Sequence, residues 1–310
     1  MKIKKALMCG AMAAVMLFAG CKENSSGSSV ADPPGNINSE GNVESGGTVA
    51  KYDVSREAPA DIEGFDGNVK DVEPKSGDLI ATFEIEGYGT IKAVLFPQAA
   101  PVGVENFQKL CDAGYYKGLN IHRVVSGFMF QGGSKNGNGT GGSAMVNGGK
   151  FPIETAQNVR HFYGALCYAN AGPENNTTQF YIVNNKSAQD IGAYNVDVNQ
   201  KAIDDAIDEV NEVASQYSTD VIEAYLKDVQ YSQNTLTFIK YASDEIKARY
   251  KEKGGTPSLD GNYTVFGQVY EGFDVIDAIS AVQVEDNGAR EVSKPVKEII
   301  IKDVSVSTYE

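Results

Sequence analysis

Apolar and polar positions alternate over residues 79–86 (LIATFEIE) and 90–96 (TIKAVLF), with Gly87, Tyr88 and Gly89 between them. A period of two with a glycine-bounded break predicts a β-hairpin. The pattern then changes. Pro101 suits a first helical turn, Val104, Phe107, Leu110 and Cys111 recur at helical spacing, and Gly114 is a plausible stop. Short apolar runs separated by Gly-rich turns follow as far as Val183. Several short strands with few helices predict a β-barrel or sandwich. From Gln200 to Lys253 the texture is helical. Ile203, Ala206, Ile207, Val210, Val213 and Ala214 fall three or four apart, Val221, Ile222, Tyr225, Leu226 and Val229 repeat the spacing, and Leu236, Ile239, Tyr241, Ala242 and Ile246 follow it less cleanly. Two or three amphipathic helices are expected there.

One stretch stands out, residues 121–133 (IHRVVSGFMFQGG). Alternation should put Ile121, Arg123 and Val125 on one strand face. A guanidinium beside bulky apolar groups is costly to bury unpaired, so Arg123 is either paired or lines a wet cleft. Taken alone it could equally be a surface arginine beside an ordinary core strand. Two more segments bear on the choice. Residues 166–183 (LCYANAGPENNTTQFYIV) read as two strands around a Gly-Pro loop, and residues 258–269 (SLDGNYTVFGQV) form the third.

In that order the three segments resemble the cyclophilin family of peptidyl-prolyl cis/trans isomerases, whose pattern is F-H-R-V-I-x-G-F-M-x-Q-G-G, then M-A-N-A-G-P-x-x-x-x-S-Q-F-F-I, then L-D-G-x-x-x-V-F-G-x-V. The resemblance runs from about Asp78 to Val183 and from about Ser258 to Ile301. It implies a mainly β domain over residues 78–310, a closed eight-stranded antiparallel barrel capped by two helices. The second helix would be residues 272–281 and the closing strand residues 296–304. The match breaks over residues 186–256, the helical stretch, which becomes an insertion in a loop that borders the substrate groove in the family. It could be a wall, a lid, a second binding surface or a packed decoration.

The resemblance also assigns residues. Arg123 matches the catalytic arginine, with Gln131 beside it. Phe128, Met129 and Leu259 match the proline pocket, Gln131 and Asn170 match groups that hydrogen-bond substrate backbone, and Ala169 and Gln179 line the same groove. The chain departs from the family at Tyr181 (usually Phe), at Ser258 (Trp in many eukaryotic members) and at Tyr263 (often His). Tyr181 and Tyr263 are expected in the groove wall. The changes at 258 and 263 bear on substrate preference and on sensitivity to the family's cyclic-peptide inhibitor. Substrates would be proline-containing polypeptides. No cofactor or metal is implied, and a monomer is expected.

The chain's first residues change the cellular picture. Residues 1–21 open with Lys2, Lys4 and Lys5, continue with an apolar run too short to span a membrane, and end Ala19-Gly20-Cys21. This resembles a bacterial lipoprotein signal and implies lipid on Cys21; an ordinary secretory signal is the alternative. Either takes the protein out of the cytoplasm, to the cell envelope in the lipidated case. Residues 22–77 are rich in Ser, Gly, Asn and acidic groups, which predicts a flexible tether. Some 50 such residues reach roughly 40 Å.

The formal net charge is −14, and losing the three signal lysines makes it more negative. Such a surface disfavours nucleic acid and gives no help with anionic lipid. Cys111 and Cys167 could pair in an oxidising compartment, but both fall on apolar faces, so buried thiols are expected. Gly137, Gly139 and Gly142 satisfy G-x-G-x-x-G without the strand and helix that a dinucleotide site needs. The two histidines, His122 and His161, have no zinc spacing, and His122 should point away from Arg123 as a structural hydrogen-bonding residue. No nucleophile–base pair is evident, which suits a reaction that breaks no covalent bond. The competing function is a non-catalytic peptide-binding or scaffold lipoprotein of cyclophilin shape.

Overall fold

The computed structural model describes residues 52–310. The signal segment, Cys21 and residues 22–51 of the expected tether lie outside the described residues.

The hairpin forms as the alternation requires: β1 (Leu79–Ile85) pairs antiparallel with β2 (Gly89–Leu95). Helix α1 (Pro101–Asp112) starts on its proline. Then come β3 (Ile121–Val125), β4 (Met129–Gly132), β5 (Ala165–Asn170) and β6 (Asn176–Val183). Three helices follow, α2 (Val196–Val213), α3 (Thr219–Lys240) and α4 (Asp244–Lys253). The chain ends with β7 (Val265–Glu271), α5 (Phe273–Ser280), the short hairpin β8 (Val284–Asp286) and β9 (Val292–Pro295), and β10 (Ile301–Thr308).

Eight strands form one antiparallel sheet in the order β10-β1-β2-β7-β5-β6-β4-β3, curled into a half-barrel. The expected closed barrel is corrected here. No ladder joins β3 to β10. A single bridge, Asn120 with Ile300, and backbone bonds such as Ile121 N to Ile299 O (2.9 Å) connect their lead-in segments. The reason lies in the strand limits. The closing strand begins at Ile301, five residues later than expected, and β3 packs against β9.

Both faces of the sheet are apolar, and alternate residues serve each. Ala81, Phe83 and Ile85 of β1 join Val104, Phe107 and Leu110 of α1 and Val275, Ile276 and Ile279 of α5 in one core. Ile80, Met129, Cys167, Tyr181 and Val183 belong to a second cluster on the opposite face. Cys111 and Cys167 are both buried, and neither is in a disulfide among the described residues.

Part of the expected tether is corrected here. Residues 52–77 pack along the domain. Ile62, Phe65 and Val72 cover the second cluster, and Asn68 is fully buried, donating to Arg160 O at 2.7 Å and to Gln268 Oε1 at 3.0 Å. The apolar residues of this strap are sparse and aperiodic, so averaging over a polar window hid them. Phe107 lies at the centre of the first core, its ring centroid 5.1 Å from that of Phe266, 5.3 Å from Tyr116 and 5.8 Å from Phe83. Phe107→Ala is expected to cost about 3–5 kcal/mol in urea-induced unfolding, because α1 and the sheet are both fixed around the void.

Candidate active site

Cross-strand register assembles the site. Arg123 of β3 lies opposite Gln131 of β4, and Gln131 lies opposite Tyr181 of β6. A bulge between Ile121 and Arg123 corrects the expected strand face. Ile121 turns into the core with Val124, whereas Arg123 and Val125 go to the other side. His122 is the extra residue of this bulge. Among the described residues neither of its buried ring nitrogens has a hydrogen-bond partner, so the hydrogen-bonding role expected for it is also corrected. Burial, helped by the neighbouring Arg123 charge, pushes its pKa down to about 4, which keeps the ring neutral.

All ten residues singled out from the sequence line one groove of about 510 Å³: Arg123, Phe128, Met129, Gln131, Ala169, Asn170, Gln179, Tyr181, Leu259 and Tyr263. Arg123 Cζ lies 6.0 Å from the Phe128 ring centroid, and Nη1 lies 3.9 Å from Met129 Sδ. A polar chain crosses the groove floor. Arg123 Nη1 donates to Gln131 Oε1 (3.3 Å), Gln131 Nε2 to Gln179 Oε1 (3.0 Å), and Gln179 Nε2 to Gly139 O (2.9 Å). Asn170 has part of its capacity taken, donating to Asn262 O and accepting from Gly172 N. Sequence reasoning did not assign the rest of the lining, which includes Gly139, Gly141, Gly142, Asn175 and Thr177. The glycine run itself was the available signal, and the structure puts Gly139, Gly141 and Gly142 at positive φ (86°, 77° and 103°).

It also missed Glu291. Its carboxylate takes Arg123 Nε and Nη2 at 2.7 Å each, a bidentate pair only 16–22 % exposed. The arginine hydrogen bond, followed by burial acting the other way, leaves the Glu291 carboxyl below its usual range. Glu291 closes a turn on Asn287, which donates its N–H to Glu291 O at 2.9 Å. An acidic residue in a polar turn reads as solvated, so nothing in the pattern flagged it.

The loop carrying Leu259 and Tyr263 is fixed from behind. Burial pushes the Asp260 carboxyl up, but Arg160, His161 and Tyr250 outweigh it and hold it below its usual value. Arg160 Nη1 donates at 3.1 Å, the His161 backbone N at 3.0 Å and Tyr250 OH at 2.7 Å, while His161 Nδ1 lies 2.8 Å away. Helix α3 adds Thr235 Oγ1 to Ser258 O (3.0 Å) and accepts Asn262 Nδ2 on Tyr231 O (3.1 Å). The Tyr231 ring meets Tyr263 edge-on at 6.1 Å. The insertion thus supports the groove from outside, and none of its helical residues lines the groove.

The family described as "Cyclophilin type peptidyl-prolyl cis-trans isomerase/CLD" matches residues 80–306. The chain belongs to the cyclophilin-type peptidyl-prolyl cis/trans isomerases. A putative peptidyl-prolyl cis-trans isomerase of Staphylococcus aureus (strain USA300) is 32 % identical over 218 residues, covering 70 % of this chain and 87 % of that one. A putative bifunctional phosphatase/peptidyl-prolyl cis-trans isomerase of Streptococcus pyogenes serotype M6 is 33 % identical over 221 residues, and the match spans 71 % of this chain and only 37 % of that longer protein. A solved cyclophilin type isomerase of Cryptosporidium parvum aligns with a TM-score of 0.48 and 22 % identity, covering 75 % of this chain and 99 % of that one.

Tyr181 lies deep in the wall, and its buried hydroxyl meets the thiol of Cys167, a weak partner, with no hydrogen bond of ordinary length. Removing an under-satisfied buried hydroxyl without changing the ring is expected to help. Tyr181→Phe should raise unfolding stability by about 1 kcal/mol while leaving isomerase activity within about twofold. Thermal and urea unfolding beside a turnover assay would check both.

Proposed function

We propose that this groove isomerises X-Pro bonds in exported polypeptides, with Arg123 as the catalytic group. The observation that carries the reading is the guanidinium itself, pinned on two nitrogens by Glu291 with Nη1 beside Met129 and Phe128. Rotation about a peptide bond costs about 18–20 kcal/mol because the twisted geometry loses resonance. At the twist the nitrogen lone pair localises and can accept a hydrogen bond. A donor fixed at that nitrogen binds the twisted state better than either planar end, and only such differential binding speeds the step. Phe128, Met129, Leu259 and Tyr181 supply an apolar slot for the proline ring. Gln131 and Asn170 hold the flanking backbone, while Ala169, Gln179 and Tyr263 shape the groove. No covalent bond forms or breaks.

Glu291 is a positioning residue in this scheme. Left alone, a guanidinium in a half-buried wall would be expensive to desolvate and free to rotate. The bidentate carboxylate fixes the plane of the fork and turns the Nη1 edge to the groove. It also reduces the net charge there, but discrimination between planar and twisted amide depends on where the N–H points. The export signal, lipid on Cys21 and a place in the cell envelope remain part of the proposal, supported by residues 1–21; among the described residues no helix is long and apolar enough to cross a membrane. A monomer is proposed on the same footing.

Proline-limited refolding of a reporter protein tests the catalytic role. Arg123→Ala is expected to lower kcat/KM about 100-fold or more, the scale seen when one positioned donor is removed. Equal rates for the two proteins would leave only peptide binding by a cyclophilin shell. Glu291→Gln is expected to lower kcat about tenfold, equivalent to 1.36 kcal/mol, with KM little changed. It should have no further effect in an Arg123→Ala background, and a rise in kcat would show the carboxylate to be a brake.

A further inference from the structure

Residues 52–56 are held in a way that ordinary linker packing does not require. The side-chain amide of Asn211, on α2, pairs with both backbone groups of Tyr52: Tyr52 N donates to Asn211 Oδ1 at 2.6 Å, and Asn211 Nδ2 donates to Tyr52 O at 3.0 Å. Three residues on, Gln230 of α3 repeats the arrangement, accepting Ser55 N at 2.8 Å and donating to Ser55 O at 2.9 Å. Between them Val54 is buried with Ile203 and Ile207 of α2 and Val229 and Leu236 of α3. Arg56 closes the set by reaching Asp204 Oδ1 at 2.8 Å. The segment runs antiparallel to α2, since Tyr52 meets residue 211 and Arg56 meets residue 204.

Each element of this clasp reads something other than sequence identity. The two amide pairs bind N–H and C=O groups that every residue except proline offers, and they hold the chain extended. The valine pocket asks for one aliphatic side chain. Helix α2 carries Asp197, Asp204, Asp205, Asp208, Glu209 and Glu212 against Lys201 alone, so its field favours a cation beyond the pocket. None of these residues lines the groove of Arg123.

We propose that the cleft between α2 and α3 is a second peptide-binding site, for extended segments of unfolded polypeptide that carry an aliphatic residue with a cation two positions on, and that residues 52–56 occupy it in cis. Residues 52–56, the end of the strap, hold their place through side-chain bonds, one buried valine and an exposed ion pair, with no strand ladder, so they belong to the part of the fold that opens at low cost. A client segment would replace them contact for contact. The cleft would thereby retain an unfolded chain while the other groove turns its prolines, although binding in the cleft does not depend on the catalytic reading.

The test uses the full chain and a fluorescein-labelled peptide with the sequence of residues 52–57, followed by anisotropy. Val54→Asp ejects the strap, and the variant is expected to bind the labelled peptide at least tenfold more tightly than the parent, whose own strap competes. Adding Asn211→Ala and Gln230→Ala should return binding to the parent level. An unlabelled peptide Gly-Lys-Ile-Thr-Arg-Lys, which shares the cleft's requirements but not the strap's sequence, should displace the label. Isomerase turnover, expected unchanged, reports that the domain is folded. Should Val54→Asp fail to fold, Ser55→Pro removes the N–H that Gln230 accepts and leaves the buried valine in the chain. The proposal is overturned if a folded, active variant does not bind the label, if the amide substitutions leave binding intact, or if only the strap sequence binds. It is equally overturned if both strap variants unfold the domain, because the strap would then be a fixed part of it.

Discussion

A guanidinium on the floor of a half-buried groove needs a counter-charge, and the two hydrogen bonds from Arg123 to Glu291 answer that need. A buried charge without a partner costs several kcal/mol, more than one fold element can readily absorb. The pair settles where the arginine fork points, and through Gln131 and Gln179 it settles the polar line across the floor. It also ties β3, at one edge of the sheet, to the β8–β9 hairpin. That hairpin packs on β3 through β9.

The second constraint is Asp260. One carboxylate collects Arg160, His161 and Tyr250, and so joins the segment before β5, helix α4 and the loop that carries Leu259 and Tyr263. Its lowered pKa sets the sign of the linkage. The stabilisation is present above the ordinary aspartate value and is lost as pH falls through the lower, folded-state value. The insertion is therefore built into the pocket's support. Tyr250 from α4 and Thr235 and Tyr231 from α3 hold the loop whose Leu259 and Tyr263 line the groove.

Periodicity made the regular parts legible. The β1–β2 hairpin, α1 and the three inserted helices follow from spacings of two and three-to-four, and the groove residues follow from three ordered motifs. What stayed hidden was non-periodic. Ile62, Phe65 and Val72 bury singly from a polar strap, so window composition took them for tether. The bulge at His122 re-aims Ile121 relative to Arg123, and no local residue type announces it. Glu291 is distant in sequence from Arg123 and lies in a turn, where acidic residues are usually solvated. Open sheet edges depend on which strand wins a shared partner, a competition that strand-by-strand patterns do not record.

The two grooves differ in how charge can select a chain. Among the residues lining the isomerase groove Arg123 alone is charged, and Glu291 cancels it; the rest are apolar side chains, amides, three hydroxyl-bearing residues and glycine backbone. A net-neutral groove gives little long-range attraction or repulsion at physiological ionic strength, where fields fade within about 8 Å. Fit of the proline ring and pairing with flanking backbone then decide residence, and the charge of neighbouring residues matters little. The acidic α2 face works the other way, attracting basic segments before any contact forms. A chain that carries both features would be drawn to the insertion by charge and turned over in the groove by shape, so the division of charge between the two sites separates capture from catalysis.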